Sequence, residues 1–392
     1  MKMLGKRVVS LFLSAILLFL PTILVFAEPS SSENFAPLPL ETTAKAALLA
    51  DVESGQVLCA KAPHEKLYPA SVTKIMTLLL VMEALEAGQI SLTDTCAASR
   101  EAAEKGGSQI WLKEGETMTV DELLKASAVA SANDACEVLA EHVCGSSAAF
   151  VERMNERAKE LGMLDTHFEN CTGLDDTAET HQTSAYDVML MSRALLSHEA
   201  IQNYTTIWMD SLRSGKTELV NTNKLVRFYK GATGLKTGTT SKAGCCISAS
   251  AKREGTHFVA VVLGAENSKD RFNTARGLLD WGFANFQSVP LQISEEKITS
   301  VHVLHGEKEE ILPICPKTVS VLLKKGQEKT LEEEFDLSLN VEAPVEKGQT
   351  LGTVTFRCGE EVLKTYALLS PETILPLSFA GAFRRILCVL CG

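Results

Sequence analysis

The sequence lacks any excess of positive charge. Its 392 residues contain 49 Asp and Glu against 38 Lys and Arg, which gives a formal net charge of −11. A nucleic-acid-binding domain usually carries a basic patch or stripe, and the sequence shows no such clustering. We therefore expect no nucleic-acid partner.

Regular cysteine spacing is also missing. The eleven cysteines are odd in number, are scattered along the chain and form no paired metal-ligand motif. Secreted proteins that depend on a cysteine framework are usually shorter and more regular. We interpret most of these cysteines as small core residues, and we expect neither a metal nor a cofactor. Cys388 and Cys391 have the spacing of a redox pair, but they lie in an apolar terminus without a partner motif.

The first 27 residues have the layout of an export signal. Three basic residues precede an apolar run from 8 to 26, and Ala27 ends a small-residue cleavage site. The apolar run is long enough that an uncleaved membrane anchor is the alternative. Pro21 and Ala27 favour cleavage, so we expect the mature chain to work outside the cytoplasm. Residues 28–43 are rich in proline and serine and predict a linker.

A serine and a lysine stand three residues apart at the start of a long apolar run. Ser71 and Lys74 directly precede the run Ile75 to Leu85, which predicts a buried helix. Residues i and i+3 of a helix share a face. Burial disfavours the charged form of a lysine and lowers its pKa, so its neutral amine can accept a proton from a neighbouring serine. Ser71 is thus a candidate nucleophile with Lys74 as its base. The alternative is a serine at a helix start with a lysine that extends to solvent.

Two further polar fragments follow the first. Ser131-Ala132-Asn133 lies between two helical patterns, where short polar side chains can turn toward a cleft, and Lys236-Thr237-Gly238 opens a strand pattern. Ser-Xaa-Xaa-Lys, Ser-Asp-Asn and Lys-Thr-Gly, in this order, are the signature of penicillin-binding proteins and class A β-lactamases. Three matches in order are far less probable by chance than one.

The patterns between residues 44 and 288 predict one mixed α/β domain. Apolar segments at 44–52 and 57–62 flank a turn and predict a hairpin. Helices are predicted at 120–130, 134–142 and 147–161, and from 184 through 195; strands at 234–239, 244–252 and 257–264; and a final helix at 270–286. Because the strands come from both ends of this stretch, we predict an antiparallel sheet flanked by helices, an all-helical lobe, and a cleft between them.

The remaining sequence predicts a β domain and an amphipathic tail. Residues 291–369 contain short alternating runs separated by Gly, Pro and charged turns, which predict a small β-sandwich. In the tail, 371–392, apolar residues follow helical spacing with Arg384 and Arg385 off the apolar stripe. Its helix would be about 22 Å long, short of the roughly 30 Å of a bilayer core. We expect it to lie in the membrane interface; the alternative is a helix packed on the sandwich.

With these residues the chain resembles the D-alanyl-D-alanine carboxypeptidases, which are low-molecular-mass penicillin-binding proteins with a β-lactamase/transpeptidase-like fold. The resemblance is dense from about residue 40 to 285 and includes matches beyond the three motifs: 51–58, 111–115, 131–136, 173–175, 181–187, 236–244 and 278–283. It implies removal of the terminal D-alanine from peptidoglycan stem peptides ending in D-Ala-D-Ala, through an acyl-enzyme. It also implies covalent inhibition by β-lactam antibiotics.

The resemblance assigns a role to each site residue. Ser71 would attack the carbonyl and Lys74 would take its proton, while the amides of Ser71 and Thr239 would hold the oxyanion. Ser131 would relay a proton to the leaving amine, and Asn133 would hold Lys74 and the substrate amide. The terminal carboxylate would be bound by Lys236, Thr237, Gly238, Thr239 and Arg271. Ala132 replaces the more usual Asp or Gly, and His181 is interpreted as structural.

Each of these roles has a simpler alternative, and so does the function. Ser131 could be a helix cap, Lys236 an exposed strand lysine and Arg271 a surface ion-pairing residue. A class A β-lactamase needs a carboxylate-activated water, and the nearest similar stretch, Glu218 to Asn221, departs from that motif. A non-enzymatic envelope scaffold or β-lactam-sensing receptor is a third hypothesis, although all the motif residues are retained. Endopeptidase or transpeptidase side reactions stay open.

Overall fold

The structure is a computed structural model, which describes residues 35–176, 178–291, 293–315, 319–327 and 330–383. The predicted export signal, the first part of the predicted linker and the tail arginines lie outside the described residues. Up to residue 291 the strands are β1 (Ala46–Asp51), β2 (Val57–Lys61), β3 (Thr95–Ala97), β4 (Thr117–Thr119), β5 (Met209–Leu212), β6 (Thr217–Val220), β7 (Ala232–Thr240), β8 (Gly244–Arg253), β9 (Thr256–Ala265) and β10 (Phe286–Leu291).

The helices of the same region include two long ones that pack directly on the central sheet. In chain order they are α1 (Lys74–Glu86), α2 (Arg100–Ala103), α3 (Val120–Lys125), α4 (Asn133–Cys144), α5 (Ser147–Glu160), α6 (Ala185–Ser197), α7 (Gln202–Thr205), α8 (Leu225–Phe228) and α9 (Ser268–Asn285). A 3-10 turn, Ala70–Thr73, precedes α1, and a π-helical turn, Ala126–Ala130, follows α3.

The central sheet is antiparallel, with the strand order β2-β1-β9-β8-β7. Successive side chains of a strand face opposite sides of a sheet. In β9, Val259 and Val261 join the core that contains α1 and α6, whereas Ala260 and Val262 join the core under α9. The sheet therefore lies between helices on both faces, as the sequence patterns predicted, and β7 is left as an edge strand.

Helix α1 is buried on all sides. Every residue from Lys74 to Met82 is buried, which is the pattern of a helix inside a core rather than at a surface. Around it α3, α4, α5 and α6 complete one continuous apolar cluster that forms the helical lobe. Lys74, the first residue of this helix, is carried into the interior with it.

The predicted helix over 120–130 begins as expected and ends differently. Thr119 and Glu122 form the predicted capping box, in which each side chain accepts a hydrogen bond from the other residue's amide. The α-helix stops at Lys125, and a wider π-helical turn carries the chain to Ala130. Ser131 then adopts φ 62, in the left-handed region. This abrupt end to the helix turns the chain before α4 begins at Asn133.

The C-terminal part is β-rich. Its strands are β11 (Val301–Leu304), β12 (Glu310–Ile311), β13 (Val319–Lys324), β14 (Leu331–Leu337), β15 (Asn340–Glu342), β16 (Thr350–Cys358) and β17 (Glu361–Leu369), in the sheets β10-β13, β12-β11-β15 and β14-β16-β17. These sheets enclose two small apolar clusters. The predicted boundary between the domains, 288 to 291, falls inside β10, which pairs with β13.

The start of the predicted tail packs on the β-rich domain. Ile374 is buried and exchanges backbone hydrogen bonds with Val345. Beyond it a helix begins at Phe379, and the Phe379 and Phe383 side chains are exposed, while residues 384–392 lie outside the described part. No helix among the described residues has the length and apolarity needed to cross a bilayer.

Candidate active site

Ser71 and Lys74 are in direct contact. The 3-10 turn and the first turn of α1 place the Lys74 Nζ 2.9 Å from the Ser71 Oγ. Nζ also donates a hydrogen bond to the Thr172 carbonyl oxygen at 2.7 Å. The side chain of Lys74 is fully buried. This geometry is that of a nucleophile beside a general base.

Burial is the main influence on the charge of Lys74. It lowers the pKa of Lys74, and the nearby Cys136, Cys171 and Asp134 only partly oppose that effect. No carboxylate within the described residues forms an ion pair with Lys74. A lysine without a counter-ion in a buried position is held more easily as the neutral amine, which is the form that can accept a proton.

The partner of Lys74 at Thr172 was not predicted from the sequence. Thr172 lies in a turn of residues 170–174, which we call the lysine-holding turn. The Asn170 Oδ1 accepts hydrogen bonds from the Thr172 amide, the Thr172 hydroxyl and the Gly173 amide, at 3.1, 3.1 and 2.7 Å. An asparagine that bonds the backbone two residues on is a known turn signal, and Asn170 could have been found by it.

The second motif is anchored by a glycine-rich loop. The Asn133 amide donates to the Ser108 carbonyl oxygen at 2.7 Å, and its Nδ2 donates to the Gly106 carbonyl oxygen at 2.7 Å. The Asn133 Oδ1 is buried without a hydrogen-bond partner among the described residues. Ser131 is buried, and its hydroxyl makes no hydrogen bond within that same part of the chain. Two polar groups of this motif are thus left available to a ligand.

Lys236 lies on the edge strand β7 and is fully buried. Its Nζ donates to the Thr237 carbonyl oxygen at 3.1 Å. Burial, followed by the charge of Lys74, lowers the pKa of Lys236 well below its usual range. The Thr237 hydroxyl bonds to Thr222, whose amide donates to the Val129 carbonyl oxygen in the π-helical turn.

Gly238 brings β7 against the nucleophile. A Cβ atom at this position would lie 2.8 Å from the Ser71 amide nitrogen and 2.8 Å from the Pro69 carbonyl oxygen. Only glycine therefore fits without movement, and the backbone of β7 runs directly beside the Ser71 amide. The next amide, that of Thr239, is then a neighbour of the Ser71 amide, which is the arrangement that an oxyanion hole requires.

Arg271 stands behind the end of β7. Its Nη1 donates to the Gly238 carbonyl oxygen at 3.0 Å and to the Thr239 hydroxyl at 2.9 Å, and its Nη2 donates to Ser268. It is buried rather than paired with a surface carboxylate. Its cation therefore lies next to the predicted carboxylate site, where it also holds the Gly238 carbonyl and the Thr239 hydroxyl.

Direct contacts bring the first and third motifs together: Lys74 lies against Ser71, and Gly238 packs on the Ser71 amide. Cys136 lies one turn beyond Asn133 on α4. Burial raises the pKa of the Cys136 thiol, and the charges of Lys74 and Lys236 both oppose that rise. Ser131 lies at the end of the π-helical turn. Thr222 connects this turn to Thr237.

His181 is a buried neutral residue outside the reacting group. Its Nδ1 accepts a hydrogen bond from the Glu169 amide, so its Nε2 donates to the Thr73 hydroxyl at 2.8 Å. Burial lowers the pKa of His181 to about 4. Both ring nitrogens are occupied by structural contacts, and the imidazole cannot also serve as the general base.

The described part of the chain holds one group of carboxylates close enough to suit a metal ion. Oxygens of Glu101, Glu137 and Glu141 lie within 4.8 Å of one another. The Lys105 ammonium lies 3.2 Å from both Glu101 and Glu137, and so already supplies a cation there. The nine described cysteines are free thiols, and six of them are buried.

Comparisons with known proteins find matches along most of the chain. The D-alanyl-D-alanine carboxypeptidase family matches residues 32–267, and the family named penicillin-binding protein 5, C-terminal domain, matches residues 286–375. The D-alanyl-D-alanine carboxypeptidase DacF of Bacillus subtilis is 40% identical over 384 residues, which cover 97% of each chain. DacA of Escherichia coli is 31% identical over 365 residues, 91% of this chain and 89% of that one.

Solved structures of similar proteins cover both domains. Penicillin-binding protein 5 from Haemophilus influenzae aligns with a TM-score of 0.76 and 29% identity, over 86% of this chain and 99% of that one. Penicillin-binding protein D2 from Listeria monocytogenes, in its ampicillin-bound form, aligns with a TM-score of 0.58 and 32% identity, over 63% of this chain and 100% of that one.

Proposed function

The chain belongs to the D-alanyl-D-alanine carboxypeptidase family of serine peptidases, and from this premise we propose how its residues release the terminal D-alanine of peptidoglycan stem peptides. The observation that carries the proposal is the 2.9 Å contact between the Ser71 Oγ and the Nζ of a buried Lys74 that has no carboxylate partner among the described residues. A serine with its own neutral amine is a competent acyl acceptor.

The acylation step begins at this pair. The Ser71 Oγ attacks the carbonyl carbon of the penultimate D-alanine, and Lys74 accepts the hydroxyl proton. The amides of Ser71 and Thr239 stabilise the oxyanion that forms. Collapse of the tetrahedral intermediate breaks the peptide bond, and the Ser131 hydroxyl gives its proton to the leaving amine while it takes up the proton held by Lys74, which returns to the neutral amine. Water then hydrolyses the ester and frees Ser71.

Recognition of the substrate depends on its negative end. We infer that Lys236, Thr237, Gly238 and Thr239 bind the terminal carboxylate along β7, with Arg271 adding positive charge from behind. The depressed pKa of Lys236 fits this role, because an incoming carboxylate would favour the ammonium form and so couple proton uptake to binding. Asn133 has a free Oδ1 that suits an amide N–H of the stem peptide.

The test measures free D-alanine from a peptide ending in D-Ala-D-Ala. The full chain should release D-alanine, and Ser71→Ala should release none above background. Release by Ser71→Ala at the rate of the parent chain would contradict the assignment of the nucleophile.

β-Lactams should acylate the same serine. We propose that penicillin forms an adduct on Ser71 that persists for minutes or longer, because the stretch most similar to the water-activating motif of a class A β-lactamase, Glu218 to Asn221, departs from that motif. Glu218, in the stretch that resembles the lactamase motif, is exposed on β6. Mass spectrometry of the intact protein follows the adduct over time. Rapid return to the unmodified mass would indicate a β-lactamase instead.

We also propose that the chain is exported and held at the outer face of the cytoplasmic membrane by its C-terminal helix. The exposed rings of Phe379 and Phe383 support insertion of an apolar helix face into the interface. Cosedimentation with anionic lipid vesicles tests this by comparing the full chain with one that ends at Ser378, which keeps the Ile374 contact. Equal partitioning of the two chains would argue against the anchor.

A further inference from the structure

The lysine-holding turn connects the side chain of Asn170, which has no role in the proposed mechanism so far, to the general base Lys74. Lys74 Nζ has two partners, the Ser71 hydroxyl and the Thr172 carbonyl oxygen. A neutral amine has two N–H groups and one lone pair, and the lone pair must face the serine proton to accept it. The Thr172 carbonyl, by taking one N–H, fixes the direction of that lone pair. The position of this carbonyl therefore matters for proton transfer.

Asn170 is the residue that holds the turn in shape. Its Oδ1 accepts three hydrogen bonds, from Thr172 and Gly173, and its Nδ2 donates to the Leu174 carbonyl oxygen at 2.8 Å. One amide thus connects both ends of the turn. A substituted alanine would leave these backbone groups without their partner and would free the Thr172 carbonyl to move.

The turn has little room to move without affecting Ser71. A Cβ at Gly173 would lie 1.8 Å from the Ala70 carbonyl oxygen and 2.8 Å from the Thr73 hydroxyl. The backbone at Gly173 is therefore packed directly on the 3-10 turn that carries the nucleophile. On the other side, Thr77 of α1 donates to the Cys171 carbonyl oxygen at 2.6 Å. The lysine-holding turn therefore contacts both the 3-10 turn that carries Ser71 and the base Lys74.

We propose that Asn170 is a positioning residue for the reaction: it fixes the Thr172 carbonyl, which in turn orients the Lys74 amine toward Ser71. This inference rests on the proposed function, since it assumes that Lys74 accepts the Ser71 proton. Asn170 touches neither the nucleophile nor the base and acts only through the backbone of the turn.

The test compares two substitutions at Asn170 with a matched control. Asn170→Ala removes all four hydrogen bonds and should lower kcat/KM for D-alanine release by roughly 10- to 100-fold at every pH, as expected for misplacement on the ångström scale. The effect should fall on kcat more than on KM, because the carboxylate site on β7 is untouched.

Asn170→Asp separates a positioning role from a merely structural one. Asp keeps the oxygen that accepts three hydrogen bonds from Thr172 and Gly173, so the Thr172 carbonyl should stay in place, although the bond from Nδ2 to the Leu174 carbonyl oxygen is lost. Its negative charge favours the ammonium form of Lys74, so the acid limb of the kcat/KM profile should move up by roughly one pH unit. Activity should then recover toward that of the parent chain at high pH, whereas Asn170→Ala should not recover.

Other titratable groups near Lys74 are unchanged by these substitutions. They are Lys236 on β7, Asp134 and Cys136 on α4, Cys171 in the turn, and His181. Because they are the same in both variants, a shift of the acid limb found only in Asn170→Asp is due to the new carboxylate.

Asn155 supplies the control. It also uses its amide to bond backbone groups, with Oδ1 accepting from the Phe168 amide and Nδ2 donating to the Phe168 and Val151 carbonyl oxygens. Asn155→Ala should lower the melting temperature yet keep the kcat and the acid limb of the parent chain. Equal losses of kcat in the Ala variants at 155 and 170, with no shift in Asn170→Asp, would overturn the inference. The proposed function would stand as long as the parent chain is active and Ser71→Ala is not.

Discussion

The contact between β7 and the nucleophile leads to a quantitative prediction for Gly238→Ala. The new Cβ would lie 2.8 Å from the Pro69 carbonyl oxygen and the Ser71 amide nitrogen, and 2.9 Å from the Ala70 Cβ. Ordinary contacts start near 3.4 Å, so β7 and the 3-10 turn must separate by roughly half an ångström. A misplacement of 1 Å can cost about 100-fold in rate, so we expect acylation to slow by roughly 10-fold.

The assay is the rate at which a labelled penicillin acylates the chain, measured together with the free energy of unfolding in urea. Gly352→Ala is the control, because its Cβ would meet the Asp336 carbonyl oxygen at 2.5 Å in the C-terminal domain. Both substitutions should destabilise the fold by about 1–3 kcal/mol, and only Gly238→Ala should slow acylation. Unchanged acylation in a folded Gly238→Ala chain would refute the placement of Gly238 beside the oxyanion site.

Three further predictions concern protonation and helix capping. The acylation rate should fall as the pH drops through the depressed pKa of Lys74, because only its neutral amine accepts the Ser71 proton; a flat pH–rate curve would contradict this. His181 has a folded-state pKa of about 4 against 6.5 in the unfolded chain, so stability should fall by on the order of 3 kcal/mol as the pH drops from 6.5 to 4. Urea unfolding at several pH values measures this loss, and His181→Gln should reduce it. Thr119→Ala removes the capping box and should cost about 1 kcal/mol in the same assay.

The contact between Ser71 and Lys74 could be predicted from the sequence, because the two residues stand three apart at the start of the apolar run that forms α1. Lys236 lies in the middle of the edge strand β7. Thr172 and Asn170 were not predicted. Their contribution to the site comes from a backbone carbonyl and a turn, and neither leaves a periodic pattern in the sequence.

The C-terminal domain was predicted less accurately, for a different reason. The alternation of apolar residues from Phe335 to Val341 predicts one strand, but β14 runs from Leu331 to Leu337 and β15 belongs to another sheet. The alternation of inward and outward side chains along β14 is not visible in the sequence, because three consecutive glutamates occupy positions 332–334. The side chain of Glu333 turns inward and pairs with Lys297 at 3.2 Å. The other two are exposed, as predicted for a solvated face.

The extent of β10 was hidden by a proline. Pro290 cannot donate a ladder hydrogen bond, so it suggested a break between domains. Among the described residues, β10 pairs with β13 in a two-stranded sheet, and an edge strand is where a proline is tolerated. The chain therefore passes from α9 into the C-terminal domain without an intervening linker.

The π-helical turn before Ser131 makes the site more sensitive to the deletion of one residue from the turn than to a substitution there. Such a turn is equivalent to one residue inserted into an α-helix. Deletion of a single alanine between 126 and 130 would restore regular winding and rotate everything beyond it by about 100°. The hydroxyl of Ser131 would swing away from the cleft while the apolar packing of α3 remained intact. A frame-preserving loss of three nucleotides at this point would therefore misplace the Ser131 hydroxyl together with the buried face of α4, and would lower both activity and stability.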